Sequence, residues 1–329
     1  MLSLLLLGLS TTPIMIYGLI SLSKGYYFLP NSVLIKFIEN IVITSEFSLK
    51  KLFISLLTYG VTNIIYNPHI CVLIFVTLFL LFFHFRCKIY KISTVMMLII
   101  YILTTCLHIL FASTGWFFRY EAYLVTVGIV VISIGLIELP IEKYANNLKK
   151  GVFIIFLLLL LLPLEIRGIY SLLITPQATT NIYQQQYQMG LFLKQFYEGE
   201  SIAANDIGAI NFLADIKCLD LVGLGSLEVA KAKINGNYKT QLIYNLTQQK
   251  NVKIAIVYKH WFEKFGGLPS SWIEVGEWKI SNNIVCGGET VTFYAVDPTE
   301  ENKLIENLRN FSSKLPRDVK QSGKYIQRN

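Results

Sequence analysis

Five stretches of the chain are apolar for long enough to approach the roughly 17–25 residues needed to cross a bilayer, and no other feature constrains the fold as much. They are Leu2–Leu22, Ile70–Phe85, Ile92–Phe111, Ala122–Ile137 and Gly151–Leu164. Lys149 and Lys150 extend the last one, because a lysine stem lies along apolar surface while its ammonium stays wet. A sixth stretch, Leu52–Tyr66, carries Thr58, Gly60, Thr62 and Asn63, and reads as an interfacial or re-entrant helix. Arg86, Lys88 and Lys91 then share one short loop, and Lys143, Lys149 and Lys150 share another on the same side. The positive-inside rule makes that side cytoplasmic. The Ser23–His69 connection, the Ser113–Glu121 turn and everything after Glu165 fall on the outer face.

Composition divides the chain in two. Residues 1–168 hold 12 of the 29 basic residues, 6 glutamates and no aspartate; the rest holds 17 basic and 15 acidic residues. A chain that is 53% hydrophobic and 15% charged is not a wholly soluble protein, for which about 25% charge is usual. The net charge of +8 sits mainly in the membrane half and includes no basic run of five, so no nucleic-acid partner is expected. The expected organisation is a transmembrane domain over 1–168 with its N-terminal helices missing, an extracytoplasmic α/β domain over 169–315, and a disordered tail over 316–329. Met1 opens into an apolar run with no basic segment before it, as if the chain began inside a longer membrane domain. The five cysteines are dispersed without a C-x-x-C pair; Cys218 and Cys286 are the candidates for a disulfide.

Beyond Arg167 the pattern changes to alternating strands and helices. Ser201–Asn205, Cys218–Val222, Val252–Tyr258, Trp272–Ile280 and Thr290–Val296 read as strands. Tyr183–Tyr197, Glu228–Lys233, Tyr238–Gln249 and Thr299–Leu315 read as helices, the last capped by Thr299. A mainly parallel, three-layer domain is the expectation.

The candidate site residues each have two readings. Arg119 and Tyr120 lie at the outer end of a span, behind Gly115-Trp116-Phe117-Phe118. A guanidinium there suits the phosphate of a lipid whose tail lies in the bilayer, or forms a headgroup anchor with Glu121. Lys36 follows Pro30-Asn31-Ser32 in the same outer loop, as a phosphate counter-charge or a solvated lysine. Asn205 and Asp206 sit at the carboxyl end of a strand, where α/β proteins place ligands, or else cap a turn; Asp220 has the same two readings. Gly223-Leu-Gly225 lacks the third glycine of a dinucleotide fingerprint, with Glu228 in its place, and reads as turn glycines. The histidines are not spaced for a metal site.

Taken in order, Gly25-Tyr26-Tyr27-Phe28-Leu29-Pro30-Asn31-Ser32 with Lys36, Gly115-Trp116-Phe117-Phe118-Arg119-Tyr120-Glu121-Ala122-Tyr123, Asn205-Asp206-Ile207-Gly208-Ala209 and Asp220-Leu221-Val222-Gly223-Leu224 resemble the C-terminal part of bacterial GT-C-type membrane glycosyltransferases. The likeness is to the mannosyl- and arabinofuranosyl-transferases that use polyprenyl-phosphate sugars. It implies a multi-pass enzyme of the cytoplasmic membrane that moves a sugar from a polyprenyl-phosphate donor to an envelope glycan acceptor outside the cell. Lys36, Arg119 and Tyr120 would face the donor phosphate, and the domain after residue 170 would shape the acceptor side. The family's catalytic carboxylate, in a first outer loop, has no counterpart here. The resemblance therefore implies a fragment, a misplaced start or a separate N-terminal half as partner, and leaves a divalent metal open for the complete enzyme. The alternative is a non-catalytic membrane protein with an extracytoplasmic α/β binding domain.

Overall fold

The computed structural model describes residues 2–40, 49–86, 91–139 and 147–326. The chain is mostly helical, with one mixed six-stranded sheet in its C-terminal half. It divides into two compact units, Lys36–Thr175 and Met1–Ile35 with Pro176–Asn329, instead of changing at residue 168. The boundary falls inside a helix. The apolar stretch at Gly151 and the polar one after Arg167 belong to a single 36-residue element, α7 (Asn147–Ile182).

Before it come α1 (Leu2–Ser23), α2 (Asn31–Asn40), α3 (Leu49–Tyr66), α4 (Pro68–Arg86), α5 (Ile92–Phe111) and α6 (Ala122–Ile137). Among the described residues, α4 and α5 are long and apolar enough to cross a bilayer, each with mean hydropathy 2.2. The apolar parts of α1, α3 and α6 are shorter. Leu73, Val76 and Leu80, spaced by three and four, put one face of α4 against Leu98 and Tyr101 of α5 and Val131 of α6. Close approach is possible because α6 carries Gly128, where a Cβ would come within 2.3 Å of the Tyr101 hydroxyl. Lys91, 2.7 Å from Glu138, marks one end of this bundle. His69, Glu121 and Arg167 meet at the other end. The 19 residues of α4 separate the ends by about 28 Å.

The α/β unit contains β1 (Ser201–Ala204), β2 (Lys217–Asp220), β3 (Ile254–Val257), β4 (Ile273–Lys279), β5 (Thr290–Ala295) and β6 (Lys320–Gly323), in the order β2-β1-β3-β5-β4-β6. Only β2-β1-β3 is parallel; β3-β5, β5-β4 and β4-β6 are antiparallel, which corrects the mainly parallel expectation. A parallel neighbour needs a crossover of a dozen or more residues, whereas β4 returns directly to β5 through residues 280–289. The three layers are present. Ile202, Ala204, Ile254 and Ile256 point to one face with α8 (Gln188–Phe196) and α12 (Glu301–Phe311). Ala203, Ala255 and Val257 point to the other with α10 (Leu227–Ile234) and α11 (Thr240–Gln249). A short helix, α9 (Gly208–Leu213), follows β1.

The closing helix is shorter than Thr299–Leu315, because 3-10 turns flank α12 on both sides. Asp297 caps the 3-10 turn that leads into it, its carboxylate accepting the Thr299 N–H at 3.0 Å and the Thr299 hydroxyl at 2.7 Å. These bonds hold the Asp297 carboxyl below its usual range. A depressed folded-state value stabilises above the unfolded pKa and is lost as the pH falls through the folded one. Asp297→Ala is expected to cost about 1 kcal/mol at neutral pH and progressively less in acid, as read from urea unfolding across pH.

The tail expected to be disordered from Pro316 is ordered through Ile326 and supplies β6. The burial of Tyr325 accounts for it, since one aromatic side chain anchors an otherwise polar segment.

Candidate functional site

The sequence Gly115-Trp116-Phe117-Phe118 folds into an uncommon turn. All four residues have positive φ, at 84°, 47°, 60° and 57°. Arg119 and Tyr120 both donate their N–H groups to the Gly115 carbonyl, at 3.1 and 3.5 Å. Only glycine occupies this region without steric cost, and each of the three aromatic residues is disfavoured there by roughly 1–2 kcal/mol. Such strain persists only where surrounding contacts over-determine it.

Those contacts come from Glu121 at the head of α6 and from side chains of α3, α4 and α7. Glu121, fully buried, accepts the Gly115 N–H at 2.8 Å. The Arg167 guanidinium donates to the Phe118 carbonyl at 2.9 Å and lies 4.8 Å over the Phe118 ring. Arg167 and His69 each stand 3.6 Å from the same Glu121 oxygen. Burial alone would raise the Glu121 pKa, but His69, the Gly115 N–H and the Arg167 charge together hold it below the ordinary value. At the start of the turn, Thr114 donates to the Asn63 side chain at 2.9 Å and accepts from Asn67 at 3.0 Å.

The turn presents Arg119 and Tyr120, and Lys36 of α2 meets them. The Lys36 ammonium is 4.1 Å from the centre of the Tyr120 ring, and the Arg119 guanidinium is 5.3 Å from it. Burial would raise the Tyr120 phenol, yet hydrogen bonding to Lys36 and Arg119 and their charge bring it below its usual value. Three residues drawn from positions 36, 119 and 120 thus form one cationic patch around a phenol. Its chemistry suits an anion with several acceptor oxygens.

Glu121 is the exception among the expected site residues of this unit. It braces the turn from behind instead of facing solvent, so the exposed Arg119–Glu121 headgroup pair does not form. Arg167 and His69 escaped the sequence reading. The signal available was a lone arginine closing an apolar run.

In the α/β unit the readings separate. Asp220 is structural, its carboxylate accepting the N–H groups of Val222 at 2.8 Å and Gly225 at 2.7 Å and so tying the Gly223–Gly225 turn. Gly223 has φ 92°, and a Cβ there would come within 2.9 Å of the Ala230 nitrogen. Asn205 accepts the Tyr258 N–H at 3.1 Å, joining the ends of β1 and β3. Asp206 accepts from the Gln186 amide and, at 3.3 Å, from the Tyr258 hydroxyl. It links sheet and helix. Cys218 and Cys286 are separate thiols. Among the described residues no three His, Cys, Asp or Glu side chains gather as a metal ion would require.

One family model, described as a domain of unknown function (DUF8728), matches residues 180–294, which lie within the α/β unit. No curated protein and no solved structure matches the chain.

Proposed function

We propose that this chain is part of an integral membrane glycosyltransferase that moves a sugar from a polyprenyl-phosphate carrier to an acceptor outside the cytoplasmic membrane. The observation that carries the reading is the pair of cations, Lys36 and Arg119, gathered at the ring of Tyr120. A lipid phosphate would meet both positive charges. Helices α4 and α5 suit a bilayer in length and hydropathy, and their flanks carry broad apolar exposure at residues such as Phe82, Ile92 and Leu103. Trp116, exposed beside the patch, suits the headgroup level. On this reading the chain is multi-pass, with Arg86 and Lys91 cytoplasmic and the cationic patch and the α/β unit outside.

The activity splits between binding and proton removal. Lys36 and Arg119 hold the phosphate, and Tyr120 orients between them. An acceptor hydroxyl needs a base as it attacks the sugar carbon. Glu121 is occupied by Gly115, Arg167 and His69, so it does not serve. That occupation is the observation favouring the second reading, a membrane protein that binds lipid phosphate or glycan without catalysis. Arg119→Ala, assayed in membrane fractions with a polyprenyl-phosphate sugar, separates them. The transferase reading expects the donor KM to rise about 10–100-fold, the worth of one charge-assisted contact. An unchanged donor affinity removes Arg119 from the site, and donor binding without transfer selects the second reading.

A further inference from the structure

We infer that a cavity in the α/β unit binds an acidic sugar. The cavity, ≈ 590 Å³, lies between the C-terminal end of α7, the connection from β4 to β5 and the segment leading into β6. Its volume falls in the range of small-molecule sites. The inference goes beyond the phosphate reading and stands without it.

The helix that forms one wall is irregular there. Tyr183–Tyr187 winds as a π-helix, a geometry that recurs at functional sites. Two amides on this wall clamp the connection. Asn181 donates to the Ser281 carbonyl at 3.2 Å and accepts the Ile284 N–H at 2.9 Å. Gln185 donates to the Gly288 and Glu289 carbonyls at 3.1 Å each. Gln184 lines the cavity, is only 5% exposed, and its Oε1 has no hydrogen-bond partner. Rotating the amide exchanges oxygen and nitrogen, so Gln184 offers a ligand either an acceptor or a donor.

The rest of the lining narrows the ligand. Gln177, Thr180, Ser281 and Asn282 are groups that both donate and accept, as sugar hydroxyls do. Among the described residues no aromatic ring lines the cavity, so none there stacks a nucleobase or aryl group. Lys279 lies 3.6 Å from Glu289 and is balanced by it. Of the remaining charged lining residues Arg317 and Lys320 are basic and Asp318 is acidic, leaving one positive charge in excess. A hydroxyl-rich molecule with one carboxylate meets both requirements. The wall carrying Arg317 and Lys320 is the segment whose polar composition suggested disorder, and its order builds the cavity.

Calorimetric titration of the full chain, in micelles of a detergent without a sugar headgroup, tests this with sodium galacturonate, galactose and inorganic phosphate. Saturable galacturonate binding is expected, with galactose at least tenfold weaker. Arg317→Gln, at an exposed position, should weaken galacturonate at least fivefold and leave galactose unchanged. Gln184→Leu should weaken both, with unchanged melting temperature as its control. Lys36→Ala/Arg119→Ala should leave galacturonate binding intact, which separates this site from the phosphate patch. No saturable galacturonate binding, or binding indifferent to Arg317→Gln, overturns the inference. Phosphate binding as tightly as galacturonate, and as sensitive to Arg317→Gln, overturns the sugar assignment.

Discussion

Replacing Glu121 with leucine is expected to destabilise the helical unit by about 3–5 kcal/mol, the cost of removing one partner from a buried charge cluster. The substitution leaves the Arg167 guanidinium, mostly buried, without its carboxylate. It also strips the Gly115 N–H of its acceptor in a turn that is already strained. Glu121→Gln retains an acceptor oxygen and should cost much less. The pH dependence follows from the depressed Glu121 pKa. The stabilisation is present above the unfolded carboxylate pKa and is lost as the pH falls through the lower folded value. Wild-type melting in detergent should therefore drop on acidification below about pH 4, with a shallower slope for Glu121→Gln. A leucine variant as stable as wild type would mean that the turn holds itself.

Tyr325→Ala should lower the stability of the α/β unit by about 3–4 kcal/mol, in the range of large-to-small aromatic substitutions in a core. Tyr325 is 2% exposed, and its ring lies where a side chain of Gly276 would be, within 2.4 Å of an ideal Cβ. Residue 276 is therefore glycine because the tail returns over it, at a point where the β4–β5 register shifts. Removing the ring leaves a void and loosens β6, which covers the edge of β4. Urea unfolding followed by tryptophan fluorescence reads this directly, since Trp278 of β4 pairs with Gln321 of β6. An unchanged midpoint would show that β6 is held by its backbone bonds alone.

What could be read in the sequence follows the range of the interactions involved. Periodicity is local, so the helices at Leu2, Ile70, Ile92 and Ala122 and the strands β1 to β5 all lie close to where the pattern puts them. Strand direction is not local. The run Val252–Tyr258 looks the same whether its neighbour is parallel or antiparallel, and only the short return from β4 to β5 decides. The tail failed for a related reason, because Tyr325 acts through Gly276, some fifty residues earlier. At the cationic patch, residue type and order were enough to nominate Lys36, Arg119 and Tyr120. The left-handed turn that presents two of them was invisible, because three aromatic residues give no sign of positive φ. Glu121 looked like a surface anchor because its partners, His69 and Arg167, are supplied by other helices.

The central claim is that the Lys36 and Arg119 charges exist to hold a lipid-borne phosphate. Its most direct test is the affinity of the full chain for a short-chain polyprenyl phosphate against the same polyprenol without phosphate. Two charge-assisted contacts predict a preference for the phosphate of at least about 100-fold, abolished in Lys36→Ala/Arg119→Ala. Equal affinity for alcohol and phosphate, or a preference that survives the double substitution, would contradict it.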